Sequence, residues 1–281
     1  MGDFGGAVKQ SPVYDLAVIG IPYDAKSSYL KGAARGPEAI RSASTEAMIN
    51  SFTELGADLA SDATLVDLGD VDVSGEYQQV AERIQARVTG ILDAAGIPLV
   101  LGGDHSVTYP VMQALARKYQ SLDVLHFDAH PDLYQEYRGD PYSHACPIAR
   151  ILEEGLAARV VQVGIRAATG AHRAQAERYG VRMIEMKDLT DSLTLSFSRP
   201  FYITFDVDAL DPAFAPGVSH LEPGGMSTRQ ALDIIHRLRG DIVGMDLVEV
   251  NPDRDPSGIT AAAGAKLLME VAGKILVNRR R

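Results

Sequence analysis

Eight short apolar runs alternate with stretches of helical period along the chain, the pattern of a parallel sheet covered on both faces by helices. The runs fall at residues 15–21, 64–68, 98–101, 123–127, 160–165, 181–184, 201–205 and 242–248, and the periodicity predicts helices over 77–95, 108–119, 171–179, 228–238 and 261–277. Ser227 and Thr260 stand where N-caps of the last two would be. No Pro/Gly/Ser-rich linker divides the chain and no solenoid period repeats in it, so residues 1–281 read as one domain.

Three of the runs end in clusters of metal-ligating side chains. Gly102-Gly103-Asp104-His105-Ser106 follows the third, Asp128-Ala129-His130-Pro131-Asp132 the fourth, and Asp206-Val207-Asp208 closes the seventh. Strand C-termini are where open α/β sheets place their sites, so residues distant in sequence can converge there. The candidates are His105, Asp128, His130, Asp132, Asp206 and Asp208. Two imidazoles and four carboxylates are too many donors for one ordinary divalent ion, and suit a pair sharing bridging carboxylates. Charge agrees, because four carboxylates balance two divalent cations. The oxygen-rich donor set favours Mn²⁺, with Zn²⁺, Co²⁺, Ni²⁺ and Fe²⁺ as alternatives. Asp104 reads as a support for His105 or for a loop N–H, His126 as a packed or supporting histidine, and Asp211, before Pro212, as a turn residue. Residues 131–147 lack a period and read as a functional loop over the strand ends.

A net charge of −10 argues against a nucleic-acid partner and mildly favours a cationic substrate. The single cysteine, Cys146, rules out an intramolecular disulfide and reads as a small buried residue. Residues 1–6 show no signal architecture, and no apolar stretch approaches the ~20 residues of a membrane span, so the expectation is a soluble cytoplasmic protein without a membrane partner. Arg279-Arg280-Arg281 reads as a solvated helix end.

The three strand-end groups, together with Ala209-Leu210-Asp211-Pro212, with Asp246-Leu247-Val248-Glu249-Val250-Asn251-Pro252, and with the early segments Tyr23-Asp24-Ala25-Lys26-Ser27-Ser28-Tyr29 and Gly36-Pro37-Glu38-Ala39-Ile40-Arg41, resemble the ureohydrolases, the family of arginase and agmatinase. The resemblance implies a three-layer α/β/α sandwich with a mostly parallel sheet of about eight strands, two Mn²⁺ ions, a homotrimer or homohexamer, and hydrolysis of a small cationic guanidino compound to an amine and urea. It implies that His105, Asp128, Asp132 and Asp206 hold one metal. His130, Asp128, Asp206 and Asp208 would hold the other. Glu249 would orient the guanidinium, His144 would carry the proton that the leaving amine requires, and Asp132 completes the catalytic set.

Substrate choice is read from the loop after the pentad. Arginases carry an Asn two residues beyond its last Asp and a Ser four before the histidine, where this chain has Tyr134 and Asp140. Tyr134 resembles agmatinase, and an aspartate beside the pocket would repel a carboxylate while tolerating an amine. The same loop is a residue shorter than in arginase, and Ala145 stands where a glycine commonly follows the histidine. Glu249-Val250-Asn251-Pro252, by contrast, has the arginase wording. The expected order is agmatine, then other carboxylate-free or shortened guanidino compounds such as guanidinobutyrate, then arginine. A binuclear phosphoesterase would need clamping cations, of which Arg166 is the one obvious candidate, and a non-catalytic relative would be expected to lose ligands that are all present here.

Overall fold

In the computed structural model, which describes residues 3–279, all eight apolar runs are strands. They are β1 (Leu16–Ile21), β2 (Leu65–Asp70), β3 (Ile97–Gly102), β4 (Asp123–Phe127), β5 (Arg159–Ile165), β6 (Arg182–Glu185), β7 (Phe201–Asp206) and β8 (Ile242–Val248). They form one sheet in the order β2-β1-β3-β8-β7-β4-β5-β6, and every pairing between them is parallel. The helices are α1 (Gly36–Ala43), α2 (Leu59–Asp62), α3 (Tyr77–Asp93), α4 (Thr108–Lys118), α5 (Pro147–Glu153), α6 (Gly170–Tyr179), α7 (Thr228–Arg237) and α8 (Ile259–Arg279). Residues 1, 2, 280 and 281 lie outside the described residues, so the C-terminal arginine cluster is described only at Arg279, which ends α8.

Successive strand residues serve opposite cores. Leu16 and Val18 of β1 pack with Ile40 of α1 and with residues of α7 and α8, whereas Ala17, Ile19 and Ile21 pack with residues of α3, α4 and α5. A strand buried on both faces reads as an unbroken apolar run, and this makes the sheet a middle layer between two helical ones.

Ser227 caps α7 through a reciprocal pair with Gln230, as the spacing predicts. Thr260 does not cap α8. Its hydroxyl accepts Gly217 N–H at 2.7 Å, and Asp255 accepts from Ala261 N–H in the first turn instead. Helices α1, α2 and α5 are additional to the predicted set; each is too short to show a period, and α1 and α5 carry a Pro in the first turn.

Strand order explains why the ligand groups meet. The four adjacent central strands β3, β8, β7 and β4 lead respectively into His105, Glu249, Asp206 with Asp208, and Asp128 with its pentad. Only glycine fits at position 103, because a Cβ there would sit 2.0 Å from the Tyr23 carbonyl oxygen. On the far side of β1, Arg41 of α1 holds the fully buried Asp67 with two bonds, Nε to Oδ2 at 2.8 Å and Nη2 to Oδ1 at 3.0 Å. Arg41→Ala strands that buried carboxylate, so the urea-unfolding midpoint is expected to drop by the equivalent of about 3–5 kcal/mol. An unchanged midpoint would show that Asp67 finds another partner.

Candidate metal centre

His105 follows β3 on a short 3-10 turn whose N-cap is Asp104. Asp104 accepts from Ser106 N–H and, through its other oxygen, from Lys26 N–H at 2.9 Å, so it fastens the N-terminal loop beside the site. His105 Nδ1 faces three carboxylate oxygens, those of Asp132 at 3.0 Å, Asp128 at 3.2 Å and Asp206 at 3.3 Å. Its other nitrogen lies 2.9 Å from Thr204 Oγ1. A hydroxyl accepts as well as donates, so the tautomer in which Nε2 donates to Thr204 leaves the Nδ1 lone pair facing the carboxylates.

A second grouping lies beside the first. His130 Nδ1 is 3.0 Å from Asp208 Oδ2 and 3.5 Å from Asp128 Oδ1. Asp128 belongs to both groupings, one with His105 and Asp132 and the other with His130 and Asp208, while Asp206 reaches the first through His105. His126 lies within reach of the first as well, but both of its nitrogens are engaged. Gln162 donates to its Nδ1 at 3.0 Å, so Nε2 carries the proton and donates to Asp128 Oδ2 at 2.7 Å.

The electrostatics of this donor set call for cations. Burial, and then repulsion from Asp208 and Asp128, pushes the Asp206 carboxyl well above its ordinary range, and Asp208 is raised for the same reasons. Burial alone would favour a neutral His105, yet the facing carboxylates draw a proton onto it, while Nδ1 has no hydrogen-bond partner of acceptable geometry. Buried oxygens from four aspartates and nitrogens from two histidines, held close and mutually repelling, fit a pair of divalent ions.

Beside the cluster stand Glu249 and His144. Glu249 is a non-glycine residue with φ of +65°, and Asp132 adopts +51°. Such backbone costs on the order of 1–3 kcal/mol and is typical of functional positions. Glu249 Oε1 accepts from His105 N–H at 3.0 Å and from His144 Nδ1 at 2.8 Å. Burial acts to lower the His144 pKa, but Glu249 outweighs it and the imidazole is pushed up to about 9. Ser28 N–H lies 3.2 Å from His144 Nε2 and donates to it when the ring is neutral, and Ser28 Oγ lies 2.8 Å from the same atom. When the ring is protonated, the Ser28 hydroxyl can accept from Nε2–H instead.

These groups line a cavity of ≈ 180 Å³, a size for one small molecule, with Asp206, Asp208 and Glu249 in its wall. Tyr134 lines it too. Asp140 does not: Lys26 Nζ binds its carboxylate at 2.7 Å and Tyr142 N–H at 2.8 Å, so the charge expected to repel a substrate carboxylate is already paired. Ser28, Tyr137, His172 and His220 also line the cavity and were given no role from sequence, since they come from loops and a helix turn without ligand-like spacing. Arg166 is not free to clamp a phosphate, because its guanidinium donates to backbone carbonyls including those of Asp208 at 2.7 Å and Glu222 at 2.9 Å. Asp211 fixes its turn by accepting from Ala213, Gly224 and Gly225 N–H groups. Cys146 is buried, which pushes its thiol up to about 12.

The arginase family model matches residues 14–273. Arginase 1, mitochondrial, of Oryza sativa subsp. indica is 44% identical over 96% of this chain and 83% of its own length. Guanidino acid hydrolase, mitochondrial, of Homo sapiens is 39% identical over 92% of this chain and 77% of its own. The solved arginase from Medicago truncatula superposes with a TM-score of 0.86 at 42% identity, covering 93% of this chain and 88% of that one. Both curated relatives carry "mitochondrial" in their names, which overturns the cytoplasmic expectation drawn from the N-terminal composition. Among the described residues no helix is long and apolar enough to cross a membrane.

Proposed function

The chain belongs to the arginase family, a family of binuclear manganese enzymes that hydrolyse guanidino carbon–nitrogen bonds, and from that premise we propose that it releases urea from L-arginine. The carrying observation is the convergence of His105, Asp128, His130, Asp132, Asp206 and Asp208 beside Glu249 at the ends of four adjacent strands. On this reading His105, Asp128, Asp132 and Asp206 hold one ion, and His130, Asp128, Asp206 and Asp208 the other. When bound, such a pair lowers the pKa of water enough to supply a nucleophile at neutral pH. A trimeric or hexameric assembly belongs to the same proposal.

Glu249 presents a carboxylate whose direction is fixed by the His105 and His144 donors, and a carboxylate so held orients a planar guanidinium through paired charge-assisted bonds. His144 supplies the proton without which the amine cannot leave. Its imidazole is held at Nδ1 by Glu249 and at Nε2 by Ser28, so it gives up and regains a proton without losing its place.

Arginine replaces agmatine as the first choice for two reasons. The relatives above are an arginase and a guanidino acid hydrolase. The repulsion expected from Asp140 loses its premise once Lys26 pairs with it. The test is a panel of L-arginine, agmatine, 3-guanidinopropionate and 4-guanidinobutyrate, assayed for urea with the Mn²⁺-loaded protein. L-Arginine is expected to show the highest kcat/KM. Turnover of agmatine with L-arginine untouched would reverse the assignment.

A further inference from the structure

We propose that His172 is the contact for the substrate's carboxylate, making this a site for guanidino acids as opposed to guanidino amines. The inference rests on the guanidino-hydrolase reading above and names the residue that selects the far end of the substrate. His172 occupies the third position of α6, and its side chain is buried, with a relative exposure of 3%. Thr169 N–H donates to its Nδ1 at 3.2 Å. That bond leaves Nδ1 as the acceptor and places the ring proton on Nε2. Nε2 has no hydrogen-bond partner, although the residue forms part of the cavity wall.

A buried N–H donor without a partner is costly unless a ligand or water completes it. The ring cannot swing aside to solvent, since Tyr134 packs against it with centroids 4.1 Å apart and Thr169 closes a reciprocal cap with it. Around it the wall continues through Tyr134, Tyr137 and Ala167, which offer no cation. His172 lies in the first turn of α6, where the helix dipole is positive. A carboxylate accepts from Nε2–H and gains from that dipole. The ammonium of agmatine has three donors and no acceptor, so it leaves Nε2–H unpaired and is repelled by the dipole.

The test compares the Mn²⁺-loaded wild type with His172→Phe, which keeps the ring against Tyr134 and removes the donor. KM for L-arginine and the competitive Ki of agmatine are measured in both. The Phe variant is expected to raise KM for L-arginine roughly ten- to a hundredfold, the worth of a hydrogen bond to a charged group, while the Ki of agmatine stays level or falls. His172→Gln, which restores an N–H donor, should recover part of the loss. If His172→Phe misfolds, as judged by circular dichroism and manganese content, His172→Ala carries the same comparison. Equal changes for both compounds, or no change for either, would overturn the assignment of His172 and leave the guanidino hydrolysis standing. A wild-type protein that cleaves none of the guanidino acids in the panel would overturn the underlying reading as well.

Discussion

Asp128→Asn is expected to abolish measurable urea release and to strip manganese from the protein while leaving the fold intact. Asp128 belongs to both ligand groupings, with His105 and Asp132 on one side and His130 and Asp208 on the other. Its oxygens are aimed from behind, Oδ2 by His126 Nε2 at 2.7 Å and Oδ1 by His130 N–H at 2.6 Å. An amide in its place loses the charge that binds a cation, and one end of it turns a donor toward His126. Metal affinity should fall by more than the roughly 10–100-fold that loss of a supporting partner costs, because a ligand itself is removed. Elemental analysis after gel filtration, with circular dichroism for the fold, reads both effects. Full manganese content in the variant would remove Asp128 from the ligand set.

His144→Asn should behave oppositely, keeping its manganese and losing turnover by about 10²–10⁴-fold, the usual contribution of a positioned proton donor. His144 bonds to Glu249 and Ser28, and none of the bonds it makes goes to the six candidate ligands. Asparagine keeps a polar side chain in place and cannot carry the proton. The loss should appear mainly in kcat. Manganese loss matching that of Asp128→Asn would move His144 into the metal site and out of the proton-transfer role.

The layout of the sheet was legible because a strand buried on both sides has no polar face to blur its boundaries. The short helices were not, since α2 and α5 complete at most about two turns. The meeting of the six donors could be anticipated from a single geometric fact, that parallel strands end on the same edge, and their roles as ligands remain the proposal made above. What lay beyond the sequence was pairing across distance. Nothing near Asp140 in the chain announces Lys26, which is 114 positions away and turns an apparent repulsive charge into a salt bridge. His172 was hidden differently, in a helix turn where its role in capping gives no hint that Nε2 is left without a partner in a residue of the cavity wall. Tyr134 reads from the sequence as a substrate contact, and its packing against the His172 ring is not legible there.

Cleavage of a guanidino carbon–nitrogen bond is proposed to require two divalent ions held by the strand-end cluster. The most direct measurement of that requirement is a titration of chelator-treated protein with Mn²⁺, following urea release from L-arginine alongside bound metal per chain. The stripped protein is expected to release no urea, and activity to rise to a plateau at two manganese ions per chain. Urea release that persists in protein shown by elemental analysis to be free of metal would contradict the requirement.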